Sequence, residues 1–115
     1  MNPTKAEADR MRRIKLLGVC MACRQKGYPT DMVEIHHLNL GGKAGQKRRG
    51  HRFTIGLCSW HHRGVYESGH GLDKDLMTQL LGPPLTDSRK FRFWFGTDDE
   101  LLATQDRMLG VSNGP

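Results

Sequence analysis

The sequence is short of what usually holds a small domain together. Cysteine occurs only three times in 115 residues. That odd count excludes a closed disulfide framework and points, in a reducing compartment, to metal or redox chemistry. Hydrophobic residues make up 37%, low for a chain that must bury its own core. A single domain of this size is where a structural metal helps. No apolar run approaches the length of a membrane span. The opening "MNPTKAEADRMRRIK" is charged and has no signal-peptide core, so a cytoplasmic protein is the expectation. No internal repeat is present, which excludes a solenoid.

Acidic residues are scarce in the front half. Residues 1–63 hold 13 lysines and arginines against 4 acids, whereas residues 64–115 hold 5 against 8. Such a surplus suggests a polyanion partner, most simply DNA or RNA. A merely soluble basic surface is the plainer alternative.

What is there reads first as local structure. Residues 4–17 predict a helix, with Thr4 and Glu7 at capping-box spacing and Gly18 as its stop. Ala8, Met11, Ile14 and Leu17 form its expected apolar stripe. Residues 19–31 read as a knuckle and loop, and "MVEIHHLNL" (32–40) as a strand. The Gly- and base-rich stretch 41–52 reads as a flexible loop. "FTIGLC" (53–58) is a second short strand. A helix over 59–69 follows, weakened by Gly64. Segments 73–82, 87–96 and 97–109 read as helices, the last opened by a second capping-box pair, Thr97 and Glu100.

The cysteines fall into metal-binding half-sites. Cys20 and Cys23 form one Cys-x-x-Cys pair, and Cys58 and His61 a Cys-x-x-His pair. Together they complete a four-ligand tetrahedral site for structural Zn²⁺, with no position left open. A thioredoxin-like redox pair at Cys20 and Cys23 is the alternative, but no matching βαβ pattern surrounds it. His62 directly follows a zinc ligand. His36 and His37 end the first strand, which a strand–loop–strand–helix unit brings near the first turn of that helix. Three histidines gathered in this way point to catalysis rather than packing.

These residues resemble a known family. Cys-x-x-Cys, "EIHHL", a Gly-rich loop and "LCSWHH" look like the HNH, or ββα-metal, nuclease motif with an accessory zinc knuckle. More narrowly, "EIHHLNLGGKAGQKRRG", "TIGLCSWHHRGV" and "FGTDDELLATQ" resemble the Ref family of phage-type, RecA-dependent HNH endonucleases. The resemblance implies an α+β fold in one domain, 1–115. A ββα-metal core with its zinc knuckle spans 19–69, flanked by the N-terminal helix 4–17 and C-terminal helices over 73–109. It implies hydrolysis of DNA bound by RecA filaments inside a bacterial host cell. His37 matches the general base. His36 occupies the preceding position, where many members have a metal-binding Asp. His62 matches the helix histidine that binds the catalytic ion, Mg²⁺ or another divalent cation.

The pattern departs from the family in two places. The middle asparagine of the motif falls on Phe53, and no Asn occurs between Asn39 and Asn113. The orienting role passes to Thr54, His51 or a backbone carbonyl, with His51 favoured. Where many members carry a further helix histidine stands Tyr66, and His70 is a candidate substitute ligand.

Around this centre, Lys43, Lys47, Arg48, Arg49 and Arg52 of the loop are candidate phosphate contacts, which would be salt-sensitive and largely sequence-blind. Arg63 is a candidate brace for the scissile phosphate. Trp60, Phe91, Phe93, Trp94 and Phe95 are expected to pack the core rather than stack on bases. Two other functions compete with the RecA-dependent nuclease. One is an HNH nicking or structure-selective nuclease that needs no RecA. The other is a non-catalytic zinc module that binds nucleic acid.

Overall fold

The computed structural model describes residues 2–30, 32–40, 47–65 and 73–111. Lys43 and His70 lie outside the described residues. Helix α1 spans Lys5–Leu17 and opens on the expected capping box, Thr4 accepting from the Glu7 amide while Glu7 accepts from the Thr4 amide. A single 3₁₀ turn, Cys23–Lys26, follows. Strands β1 (Glu34–His37) and β2 (Thr54–Leu57) pair antiparallel. Then come α2 (Ser59–Arg63), α3 (Lys74–Leu81), α4 (Ser88–Phe95) and α5 (Asp98–Leu109). None of the described helices is long and apolar enough to cross a membrane.

The element types agree with the sequence reading, and the boundaries are tighter. Helix α2 stops at Arg63 because Gly64 takes a left-handed conformation, φ 72°, that favours glycine. Ladder pairing in β1 ends at His37, but the chain stays tied beyond it. Leu38 donates to Phe53 O, Arg49 to Leu38 O, and Asn39 bridges Arg48. The second half of the basic loop is therefore held against the strand rather than free.

The stripe on α1 is corrected. Ile14 is buried and Met11 half-buried, but Ala8 and Leu17 are exposed and Arg10 is buried in their place. Arg10 goes inside because each nitrogen of its guanidinium finds a partner there. It donates to Thr54 Oγ1 at 3.1 Å, to Thr54 O at 2.7 Å and to Asp106 Oδ1 at 2.7 Å. A buried charge is tolerated on those terms.

The register places the histidines. His36 pairs with Ile55 and His37 with Thr54. Side chains alternate across a strand, so Glu34, His36, Ile55 and Leu57 share one face while Ile35, His37, Thr54 and Gly56 share the other. Helix α1 covers the second face closely. A Cβ on Gly56 would sit 3.0 Å from Ile14 Cγ2 and 3.1 Å from Val19 O, so only glycine fits there. Helix α5 packs on β2 as well, and Gln105 Oε1 accepts the Gly56 amide at 2.8 Å. The core runs from Ile14 and Met21 through Leu38, Ile55 and Leu57 to Phe91, Phe95, Leu101 and Leu109.

The aromatic expectation holds for Trp60, Phe91 and Phe95, which are buried. It fails for Phe93 and Trp94, which are 89% and 51% exposed. At about 100° per residue, a helix that turns Phe91 and Phe95 inward points Phe93 almost directly away.

Candidate functional site

Two neighbouring centres share helix α2. The first is built by Cys20 and Cys23 on the turn after α1, Cys58 at the start of α2, and His61 within it. Their four ligand atoms lie within 4.8 Å of one another. His61 Nδ1 is 3.5, 3.4 and 3.3 Å from the sulfurs of Cys20, Cys23 and Cys58, and Cys23 Sγ is 3.7 Å from Cys58 Sγ. Around a tetrahedral zinc with Zn–S of about 2.3 Å, ligand atoms lie roughly 3.5–3.8 Å apart. The cluster can hold a metal ion and is compatible with a structural zinc site.

The surroundings prepare the donors. His61 Nε2 lies 2.8 Å from Leu81 O. A carbonyl only accepts, so Nε2 carries the proton and Nδ1 keeps its lone pair toward the sulfurs. Hydrogen bonds from Cys23 and Cys58 lower the Cys20 thiol while the same contacts and burial raise Cys23, so one sulfur of the cluster takes the thiolate form and its neighbour keeps a proton until a metal displaces it. Phe95 and Phe91 stand edge-on to His61, ring centroids 5.1 and 6.2 Å away. The site thus ties the 3₁₀ turn, the end of β2, α2 and α4 into one block.

The second centre is polar and lies along β1. On the α2 face, His36 and His62 bring their rings to 5.2 Å. His62 Nδ1 lies 2.7 Å from Glu34 Oε1. In the neutral form, Nδ1 donating to this carboxylate leaves the lone pair of His62 on Nε2. Glu34 also accepts from Arg63, Nη2 to Oε2 at 2.6 Å and Nε to Oε1 at 2.8 Å. Chiefly through Arg63, and with help from His62, the Glu34 carboxyl is held down at about 2.

On the α1 face, His37 Nε2 lies 2.9 Å from His51 Nδ1. His51 is itself steadied from below: Thr54 Oγ1 donates to His51 O at 3.0 Å. Asp106, Arg10, Thr54, His51 and His37 therefore form a continuous chain of hydrogen bonds from α5 to the end of β1. Burial lowers His36 to about 4, and the charges of His62, His37, Arg92 and Arg48 push the same way. Burial lowers His37 too, with Arg48, His51 and His62 contributing. Both imidazoles are neutral near pH 7.

The expected residues are thus only partly gathered into one site. His36 meets His62, whereas His37 is paired with His51. Among the described residues, only the cysteine–histidine cluster brings three or more metal-ligating residues to metal-binding spacing. Of the basic side chains, Lys47 and Arg48 are exposed. Arg49 pairs with Asp99 at 2.8 Å and lies over the Phe53 ring at 4.5 Å, with Arg52 over the same ring at 5.2 Å. Arg63 is on Glu34 rather than reaching outward on its own.

Sequence reasoning missed Glu34 and Arg10. Glu34 had a legible signal, since it stands two residues before His36 and so on the same strand face. Arg10 had none: its partners are 44 and 96 residues away.

The family model described as "Recombination enhancement, RecA-dependent nuclease" matches residues 3–110. No curated protein matches the chain.

Proposed function

The chain belongs to the RecA-dependent nuclease family of recombination enhancement proteins, and on that premise we propose that it is a metal-dependent HNH-type DNA endonuclease. The observation that carries this reading is the pair of histidine couples at the end of β1, His36 with His62 and His37 with His51. Neutral imidazole beside a basic surface is what a phosphodiester hydrolase needs for proton abstraction near neutral pH.

His37 is the general base. His51 orients it, and Thr54 acts through the His51 carbonyl, so two of the candidates for the missing asparagine's role are used together. In the free protein the Nε2 of His37 faces His51, and water activation requires that one of these rings give up the shared contact. His36 and His62 would hold a catalytic divalent ion through their imidazoles, with His70 a further candidate ligand. A bound ion there would neutralise charge on the phosphate and on the leaving 3′ oxygen.

Glu34 fixes the ring of His62 and holds Arg63 beside the phosphate path. Cys20, Cys23, Cys58 and His61 carry a structural zinc. Lys47, Arg48, Arg52 and Lys43 grip the DNA backbone. A non-catalytic zinc module would use the cysteine site and the basic loop but has no need for the histidine couples or Glu34.

The test is cleavage of circular single-stranded and duplex DNA with Mg²⁺, with and without RecA and ATP, beside a His37→Ala control. The expected result is RecA-stimulated cutting that the control lacks. Equal inertness of both proteins under all conditions would sink the nuclease reading. Equal cutting without RecA would favour a RecA-independent nuclease.

A further inference from the structure

From the outer face of α4, we infer that Phe93 and Trp94 form a base-stacking platform for single-stranded DNA, separate from the histidine couples. This rests on the nuclease reading for the class of polymer but not for the residues. Among the described residues an aromatic is the most exposed large apolar one: Phe93 at 89%, against 1% for Phe91 and 4% for Phe95 on the same helix. Trp94 beside it is half exposed.

Cations surround these rings. Lys26 Nζ stands 4.8 Å over the Trp94 ring. Arg89 and Lys90, both exposed, lie four and three residues before Phe93 and so on the same side of the helix. Lys90 makes only a loose contact with Asp87, 3.8 Å. The frame is rigid: Gln25 Nε2 donates to Phe95 O at 2.8 Å, which ties the 3₁₀ turn carrying Lys26 to the end of α4.

An exposed aromatic flanked by Lys and Arg suits a strand whose bases stack while its phosphates meet the cations, whatever the sequence. A protein-binding aromatic would more typically sit in an apolar surround that excludes water. The other highly exposed apolar residues, Met32 and Leu16, are aliphatic and offer no π-face. Arg92, next to Phe93, is held by Asp98 at 3.3 Å.

The test is binding of the zinc-loaded full chain to oligothymidylate without Mg²⁺, followed by Trp fluorescence and by anisotropy of a labelled strand. Stacking of one base predicts about tenfold weaker binding for Phe93→Ala. Phe93→Trp should restore it, and an abasic strand of equal length should bind wild type as weakly as it binds the alanine variant. Both substitutions are at an exposed position, and unchanged thermal melting checks the fold. Equal affinity of wild type and Phe93→Ala for oligothymidylate overturns the inference. If that variant also loses RecA-stimulated cutting, the face is a protein contact instead. A wild type that binds through Phe93 yet never cuts leaves the platform standing and sinks the nuclease reading alone.

Discussion

His61 and His62 are neighbours in one short helix, yet they serve different centres. His61 Nδ1 lies 3.3 Å from Cys58 Sγ, while His62 Nδ1 lies 2.7 Å from Glu34 Oε1. About 100° of helical rotation separates them. They should therefore fail differently. His61→Ala and Cys58→Ser should lose zinc and unfold the domain, because zinc in such a site contributes roughly 10 kcal/mol or more, comparable to the whole stability of a small domain. His62→Ala should keep zinc and melting temperature but lose cleavage. Metal analysis beside circular dichroism separates the two; a folded, zinc-replete Cys58→Ser would overturn the assignment.

Removing the proposed general base should cost about 10²–10⁴-fold in rate. We expect His37→Ala to show this with unchanged DNA affinity, measured by single-turnover cleavage. His51→Ala should lose less, since it orients rather than reacts. If His51→Ala were the more damaging of the two, the roles would be exchanged.

Glu34→Gln keeps the shape but removes the charge that both His62 and Arg63 use. Loss of such a partner behind a metal-binding histidine typically costs 10–100-fold in affinity or activity, as an order of magnitude. Partial rescue by raised Mg²⁺ should accompany it. A variant as active as wild type at low Mg²⁺ would remove Glu34 from the site.

Stability should fall with acid in two windows. His36 sits near 4 in the folded chain against about 6.5 when exposed. Between those values the unfolded chain binds the extra proton, so stability is full above about 6.5 and declines as pH falls toward 4. Glu34, near 2 against an ordinary 4.5, adds a second loss below that, as pH falls from 4.5 toward 2. Urea unfolding at stepped pH reads the first window while metal analysis shows zinc still bound; release of zinc at lower pH adds its own acid step to that of Glu34. His36→Gln should flatten the first window only; if its slope matches wild type, the burial of His36 is not the cause.

Arg10 and Asp106 are buried and paired. Breaking such a pair from one side costs about 3–5 kcal/mol, so Arg10→Ala should lower the melting temperature markedly. At temperatures where Arg10→Ala is still folded, loosened Thr54 and His51 should slow cleavage without changing zinc content. A stable variant with full activity would break the proposed line of support.

Much of this was legible early because it is local. Capping boxes at Thr4 and Thr97, the stop at Gly18, and the two half-sites at Cys20–Cys23 and Cys58–His61 depend on residues three or four apart. Chain geometry over such distances follows from residue type. The outward turn of Phe93 follows from helix spacing alone, but the half-exposure of Trp94, three residues after Phe91, does not, because spacing does not tell how much of a helix face a small core covers.

The sequence by itself determined which residues could bind metal and which could take a proton, since side-chain chemistry and short spacing require no fold. Only the tertiary structure decided the partnerships. Strand alternation sent His36 to His62 and His37 to His51, because the two histidines follow each other on one strand. Packing of α1 and α5 against β2 buried Arg10 beneath that pair, through contacts spanning 44 and 96 residues. Such contacts are set by how whole elements fill one core, which no local pattern of residues encodes.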